Sequence, residues 1–233
     1  MDGYLIPDHV YLCKTREGLL FLNLRTDKYL GVSGEGLEHL AALVPGWPIR
    51  PEDCDALETS ERATRMARKL ADAGLLTTDL TYGKSAQPAI LETGASSLLQ
   101  QRSPSRSRPV PLLLARLACA ALKVSAVLKF RSLEYAVREA RRRKRATGNC
   151  DAATIALSSD FIQLRPFVYS SRGKCLYDCL VLLEFLSHSG LFPTLVIGVT
   201  TFPFNAHCWL QHGAVVLTDY VERTRKYTPI LVI

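Results

Sequence analysis

The chain lacks any CxxC pair, and its seven cysteines (Cys13, Cys54, Cys119, Cys150, Cys175, Cys179, Cys208) are odd in number. That excludes a disulfide framework as the organising device and points to a reducing compartment. The N-terminus, MDGYLIPDHV, lacks the positive charge and apolar run of a signal peptide. No apolar stretch is free of charge over a membrane's thickness: the longest, Leu112 to Phe130, contains Arg116, Lys123 and Lys129, so no membrane span is expected. A cytoplasmic protein is expected. No internal repeat is visible. With 48% hydrophobic and 22% charged residues over 233 positions, the chain can bury a core of one large domain or two smaller ones.

Acidic residues are nearly missing from one place, and that shapes the charge. Residues 101–150 hold thirteen Lys and Arg against two Asp and Glu, whereas residues 1–80 hold nine against thirteen, and 151–233 balance at six each. The net +7 is therefore one basic block in the middle of a near-neutral chain. Aromatic residues are not interleaved with its arginines and no nucleic-acid motif accompanies it, so a solvated helix face is expected and a nucleic-acid partner is not.

Residues 1–82 read as a small α+β unit. His9–Lys14, Gly18–Leu24 and Lys28–Val32 are short β-rich runs separated by turn-forming residues, which predicts three antiparallel strands. Leu37, Leu40, Ala41 and Val44 then recur at helical spacing, and Pro45-Gly46 stops that helix. Pro51 can open a second. Ser60 is a candidate N-cap for a third, with Ala63, Met66, Ala67 and Leu70 on its apolar face and Gly74 at its end. Three strands and then three helices make a small winged-helix-like arrangement. Residues 83–109 turn to Ser, Gln, Pro and Gly without a period and are expected to be a linker. Residues 110–233 form the second domain.

The chemistry lies in that second domain. Lys174–His188 is apolar nearly all round, as a helix buried mid-domain would be. Thr194–Thr200 reads as a buried strand, and His207–Gln211 and Ala214–Asp219 as two more, turning about His212-Gly213. A cysteine becomes a nucleophile when a helix N-terminus and nearby cations hold it as thiolate. Cys175 opens the buried helix directly after Ser170-Ser171-Arg172-Gly173-Lys174. Such a thiol needs a base, and the base an orienting group. With a three-residue turn at 212–214, His207 would face Asp219 across the hairpin, their Cβ atoms ~4.5–5.5 Å apart. A two-residue turn would put Asp219 on the other face. Cys179, one turn deeper, is expected to be a core thiol. A zinc site from Cys175, Cys179, His207, Cys208 and His212 would need contortion, because Cys208 points away from His207 on a strand. No metal and no other cofactor is expected.

The order helix-borne Cys, strand-borne His, then Asp is that of the transglutaminase-like branch of the papain fold. The letters go further. Cys175-Leu176 at a helix start, Leu195–Val199 (LVIGV), Pro203-Phe204-Asn205-Ala206-His207-Cys208-Trp209 and a final Asp219 resemble the leader peptidases of lasso-peptide biosynthesis, the B proteins. The one departure is Gln211, where that family often carries Glu. The resemblance implies an α+β protein with a transglutaminase/papain-like cysteine protease domain, and Cys175, His207 and Asp219 as its catalytic residues. It implies a reaction in which the leader is cut from a ribosomally made precursor and the core passes to a separate, ATP-using, asparagine-synthetase-like cyclase. Residues 138–145 are one candidate surface for that partner.

The N-terminal unit resembles the precursor-recognition element of such pathways in architecture. In that element the leader adds as a strand beside the third strand and packs on the third helix. Carried over, the substrate-binding residues are Lys28, Tyr29, Leu30, Gly31 and Val32, with Arg65, Arg68 and Lys69 facing acidic leader residues. Two other outcomes stay open: a transglutaminase or amidase of the same fold, and a leader-binding scaffold without catalysis.

Overall fold

The computed structural model describes residues 3–34, 37–49, 56–100, 110–144, 151–170 and 174–233. They form two compact units, Met1–Ile90 with Thr228–Leu231, and Leu91–Tyr227 with Val232–Ile233.

In the first unit, β1 (Ile6–Pro7) leads into a meander of β2 (Val10–Lys14), β3 (Leu19–Asn23) and β4 (Lys28–Val32). The three expected strands are present. β3 is the central strand and buries Leu19, Leu20, Phe21 and Leu22, as its unbroken apolar run requires. Among the described residues β4 pairs only with β3, and it leaves Lys28, Leu30 and Gly31 exposed. Gly18 turns the chain between β2 and β3 at φ 140°, where an added Cβ would lie 2.4 Å from the carbonyl oxygen of Val32.

The first expected helix is a short 3-10 segment, Glu38–Ala42. The second, at Pro51, lies outside the described residues. The third is α1 (Ala56–Asp72), which begins four residues before the expected cap at Ser60. Its Ala63, Ala67 and Leu70 are buried at helical spacing. Ala67 and Leu70 join Val10, Phe21, Leu40 and Trp47 in one core, where each fully buried Leu or Phe contributes ~1.5–3 kcal/mol. Trp47 donates its indole N–H to the carbonyl of Leu37 at 2.7 Å, which satisfies its polar end.

Residues 83–109, expected to be a linker, carry structure over 83–100. β5 (Gly83–Lys84) pairs with β1, and Ala86 is buried in the core of the first unit. β6 (Ser96–Ser97) belongs to the second unit. Their Ser- and Gln-rich composition hides this because both segments are two residues long, too short for any hydrophobic period. Residues 101–109 lie outside the described ones.

The second unit continues with α2 (Val110–Phe130), α3 (Leu133–Lys144), α4 (Asp151–Leu164) and α5 (Cys175–Ser187). Then come β7 (Thr194–Thr201), β8 (Phe204–His212), β9 (Val215–Val216) and α6 (Val221–Thr224), followed by β10 (Thr228–Val232), whose residues 228–231 belong to the first unit. Within the second unit β7, β8, β9 and β6 lie side by side in that order. α5 packs on β8 and is covered by α2 and α4, which explains its nearly uniform apolar surface. Among the described residues α2 is the one helix long and apolar enough to cross a membrane. One face of it is committed to α5. Leu113, Leu117, Ala120 and Val124 are buried there, Arg116 reaches the carbonyl of Phe185 and Ser189 Oγ, and Lys123 bonds Glu184 at 2.6 Å.

Candidate active site

Three elements bring the site together. Cys175 is the first residue of α5, His207 lies on β8, and Asp219 follows β9. Lys174 at the N-cap has non-helical backbone and makes no side-chain cap bond. Ser171, Arg172 and Gly173 lie outside the described residues. The first turn of α5 places its N–H groups at the thiol end, where they favour negative charge.

His207 and Asp219 are both buried, and His207 Nε2 hydrogen-bonds Asp219 Oδ2. The hairpin that joins them is not the expected one. Its register pairs Gln211 with Val216 and His212 with Val215, so the turn is the two residues Gly213-Ala214, with Gly213 at φ 54°. Continued to 219, that register would turn Asp219 away from His207. The chain avoids this by leaving the ladder. Leu217 N–H still bonds the carbonyl of Leu210, but Leu210 N–H is taken by Thr218 Oγ1 at 3.0 Å. A side-chain hydroxyl thus replaces a main-chain acceptor, β9 stops at Val216, and the bend redirects Asp219 onto the imidazole. Gly at the first position of a two-residue hairpin loop was the available signal for the shorter turn.

The remaining partners hold the imidazole's surroundings still. Trp209 lies near-parallel to His207 with ring centroids 6.1 Å apart, and the Tyr227 ring lies at 5.1 Å. Gly198 pairs with His207 across the β7–β8 ladder. A Cβ there would sit 2.8 Å from both the Trp209 ring and Tyr227 Cβ, so glycine is required for this packing. Gln211 is buried and donates to the carbonyls of Glu92 at 2.6 Å and Gly213 at 2.8 Å. An ionised glutamate could donate to neither, which gives the departure at 211 a physical basis in this chain.

The electrostatics favour a charged pair. The Cys175 thiol is held below its ordinary pKa, first by its hydrogen bond with His207. Burial opposes this, while the main-chain N–H groups of Cys208 and Leu176 and the charge of His207 add to it. For His207 burial is the largest influence and acts downward. Hydrogen bonds to Asp219 and Cys175, with their charges, outweigh it and raise the imidazole to about 9. Burial pushes the Asp219 carboxyl up, but His207, Tyr220 N–H and Arg223 bring it below its usual range. Both shifts act toward a thiolate beside an imidazolium.

Cys179 and Cys208 are buried, and Cys179 Sγ lies 3.8 Å from Thr218 Oγ1. Cys175 is half-buried and Cys119 exposed. Among the described residues no three His, Cys, Asp or Glu side chains are placed to hold a metal ion.

The residues predicted to bind a peptide lie apart from the triad in sequence, in the first unit. Lys28 to Val32 form the open edge strand β4. Arg65, Arg68 and Lys69 are exposed on α1, on one face with Glu61, Thr64 and Asp72.

A family model described as the transglutaminase-like superfamily matches residues 118–232. The match supports a transglutaminase-like domain in the C-terminal part of this α+β chain, and that superfamily generally comprises cysteine peptidases and acyltransferases. No curated protein and no solved structure matches the chain.

Proposed function

We propose that this protein is a cysteine peptidase that removes the leader from a ribosomally made lasso-peptide precursor. The observation that carries the reading is the Cys175 thiol at the start of α5 hydrogen-bonded to His207, which is backed by the buried carboxylate of Asp219. In the reaction Cys175 Sγ attacks the scissile carbonyl. His207 gives its proton to the departing amine, so the C–N bond breaks and a thioester remains. His207 then takes a proton from water, which attacks the thioester and restores the thiol. Asp219 keeps the imidazole oriented and offsets its charge.

The first unit captures the leader. An outermost strand offers main-chain hydrogen bonds to an added strand, and Arg65, Arg68 and Lys69 offer charge to its acidic side chains. The freed core then passes to an ATP-using, asparagine-synthetase-like cyclase in the cytoplasm. On α3, Arg142 and Arg143 are occupied by Glu139, and Arg143 also by Glu184, so part of the basic run serves the fold before any partner.

Incubating the protein with the precursor peptide encoded beside it, followed by mass spectrometry, tests the reading. Backbone cleavage between leader and core is expected. A mass change on a glutamine side chain without cleavage would replace it with amidase or transglutaminase chemistry. An unchanged precursor that still binds would leave a scaffold.

A further inference from the structure

Residues 91–100 lie outside the family match and read as linker in the sequence, yet they reach the triad. β6 runs parallel to β9, with Ser96 beside Val215 and Ser97 beside Val216. Ala95 N–H bonds the carbonyl of Ala214 at 2.7 Å, and Glu92 receives the bond from Gln211. Ser97 is fully buried, and its hydroxyl donates to the main-chain carbonyl of Asp219 at 2.7 Å.

That carbonyl and the N–H of Tyr220 belong to one peptide unit, whose plane is rigid. The Tyr220 N–H in turn donates to Asp219 Oδ1 at 2.7 Å, and the other carboxylate oxygen, Oδ2, holds His207. We infer that Ser97 is a positioning residue of the triad: by fixing the peptide plane between Asp219 and Tyr220 it fixes the carboxylate that orients His207. The inference rests on Cys175, His207 and Asp219 acting as a triad. Its consequence is that the working catalytic unit begins near residue 91, ahead of α2, because Asp219 follows a two-residue strand that cannot fix its own plane. Ser97 Oγ also accepts from Leu99 N–H at 3.1 Å, which sets the hydroxyl's direction.

The test reads the thiol–imidazole pair directly, without a peptide substrate. Iodoacetamide alkylation of Cys175 is followed from pH 5 to 10 by mass spectrometry in the wild-type protein and in Ser97→Ala. The groups that face the pair are Asp219 and Tyr227 against His207, and Arg223 against Asp219. Ser97→Ala is expected to slow alkylation about tenfold at pH 6–7 and to move the profile toward that of an ordinary thiol. Leu98→Ala, at the buried neighbour, is expected to lower the melting temperature and leave the profile in place.

Ser97→Cys keeps the shape with a weaker donor and should fall between wild type and alanine. It is also the readout if Ser97→Ala does not fold. A wild-type profile in Ser97→Ala, or in Ser97→Cys when that is the variant that folds, overturns the inference. So does an equal shift in Leu98→Ala, because general loosening would then explain the effect. An ordinary thiol profile in the wild-type protein would instead remove the triad itself, a distinguishable failure.

Discussion

In the three-stranded sheet the outer strand β4 pairs on one side only and leaves most of its length exposed. In the sheet of the second unit the strand beside the triad, β9, is covered by β6, tied by Gln211 and Ser97, and reduced to two residues. An exposed strand edge is an aggregation hazard unless something is meant to add to it. A catalytic edge needs the opposite treatment, because a loose orienting group costs rate without changing the residues present. The first unit keeps its edge available, and the second closes the edge its triad depends on.

The sharpest way to break that comparison is at the triad. Cys175→Ala and His207→Ala are expected to abolish precursor cleavage, and Asp219→Asn to lower kcat by ~10⁴-fold in a folded protein. Leader binding, measured by fluorescence anisotropy of a labelled leader peptide, should be unaffected in all three. Loss of binding together with cleavage would show that the two functions are not divided between the units.

A pair of glycines comes next. Gly198→Ala meets the Trp209 ring and Tyr227 at 2.8 Å, whereas a Cβ at Gly31 meets Leu20 Cδ1 at an ordinary 3.8 Å. Overpacking at 198 should cost ~1–3 kcal/mol in chemical denaturation and reduce kcat, because the displaced rings flank His207. Gly31→Ala should be nearly neutral in stability. Equal effects would mean that the closed sheet adjusts as readily as the open one.

Thr218→Ala removes the hydroxyl that receives Leu210 N–H and should destabilise by ~1–3 kcal/mol, with a smaller activity loss than Asp219→Ala. A larger activity loss at Thr218 would show that the bend after β9 does not aim Asp219 as described.

The pH profile of cleavage sharpens the comparison further. The Cys175 pKa is lowered and that of His207 raised to about 9, so the charged pair exists between the two values. Falling pH protonates the thiolate, and rising pH through about 9 strips the imidazolium that must protonate the leaving amine. Activity should be broad across neutral pH, with its alkaline limb near 9. Leader binding on the first unit should not follow that limb.

Smallest of all, reversing Arg65, Arg68 and Lys69 to Glu should weaken binding of an acidic leader about tenfold at low salt and less at high salt. Cys175 alkylation should be unchanged.

Much of this was legible in the sequence because local signals sufficed. β2, β3 and β4 announce themselves by short β-rich runs separated by turns, and α5 by an apolar run that only a buried helix can use. Cys175, His207 and Asp219 were legible from residue type and order. How Asp219 arrives at His207 was not, since it depends on a hydroxyl, Thr218, replacing a carbonyl in the ladder. Gly198 could have been singled out, because an isolated glycine within LVIGV signals close approach. Ser97 gave no signal. Its partner is 122 positions away and is a main-chain oxygen, which carries no trace in residue type.

The distribution of thiols turns each molecule into its own clock. Cys13, Cys179 and Cys208 are buried, while Cys119 is exposed on α2 and Cys175 half-exposed at the triad. In a single alkylation reaction the label at Cys119 records reagent, time and temperature, and the label at Cys175 records the same plus the triad. Their ratio cancels protein concentration and reagent decay. Variants prepared on different days can then be ranked by one dimensionless number, read from two peptides of the same digest.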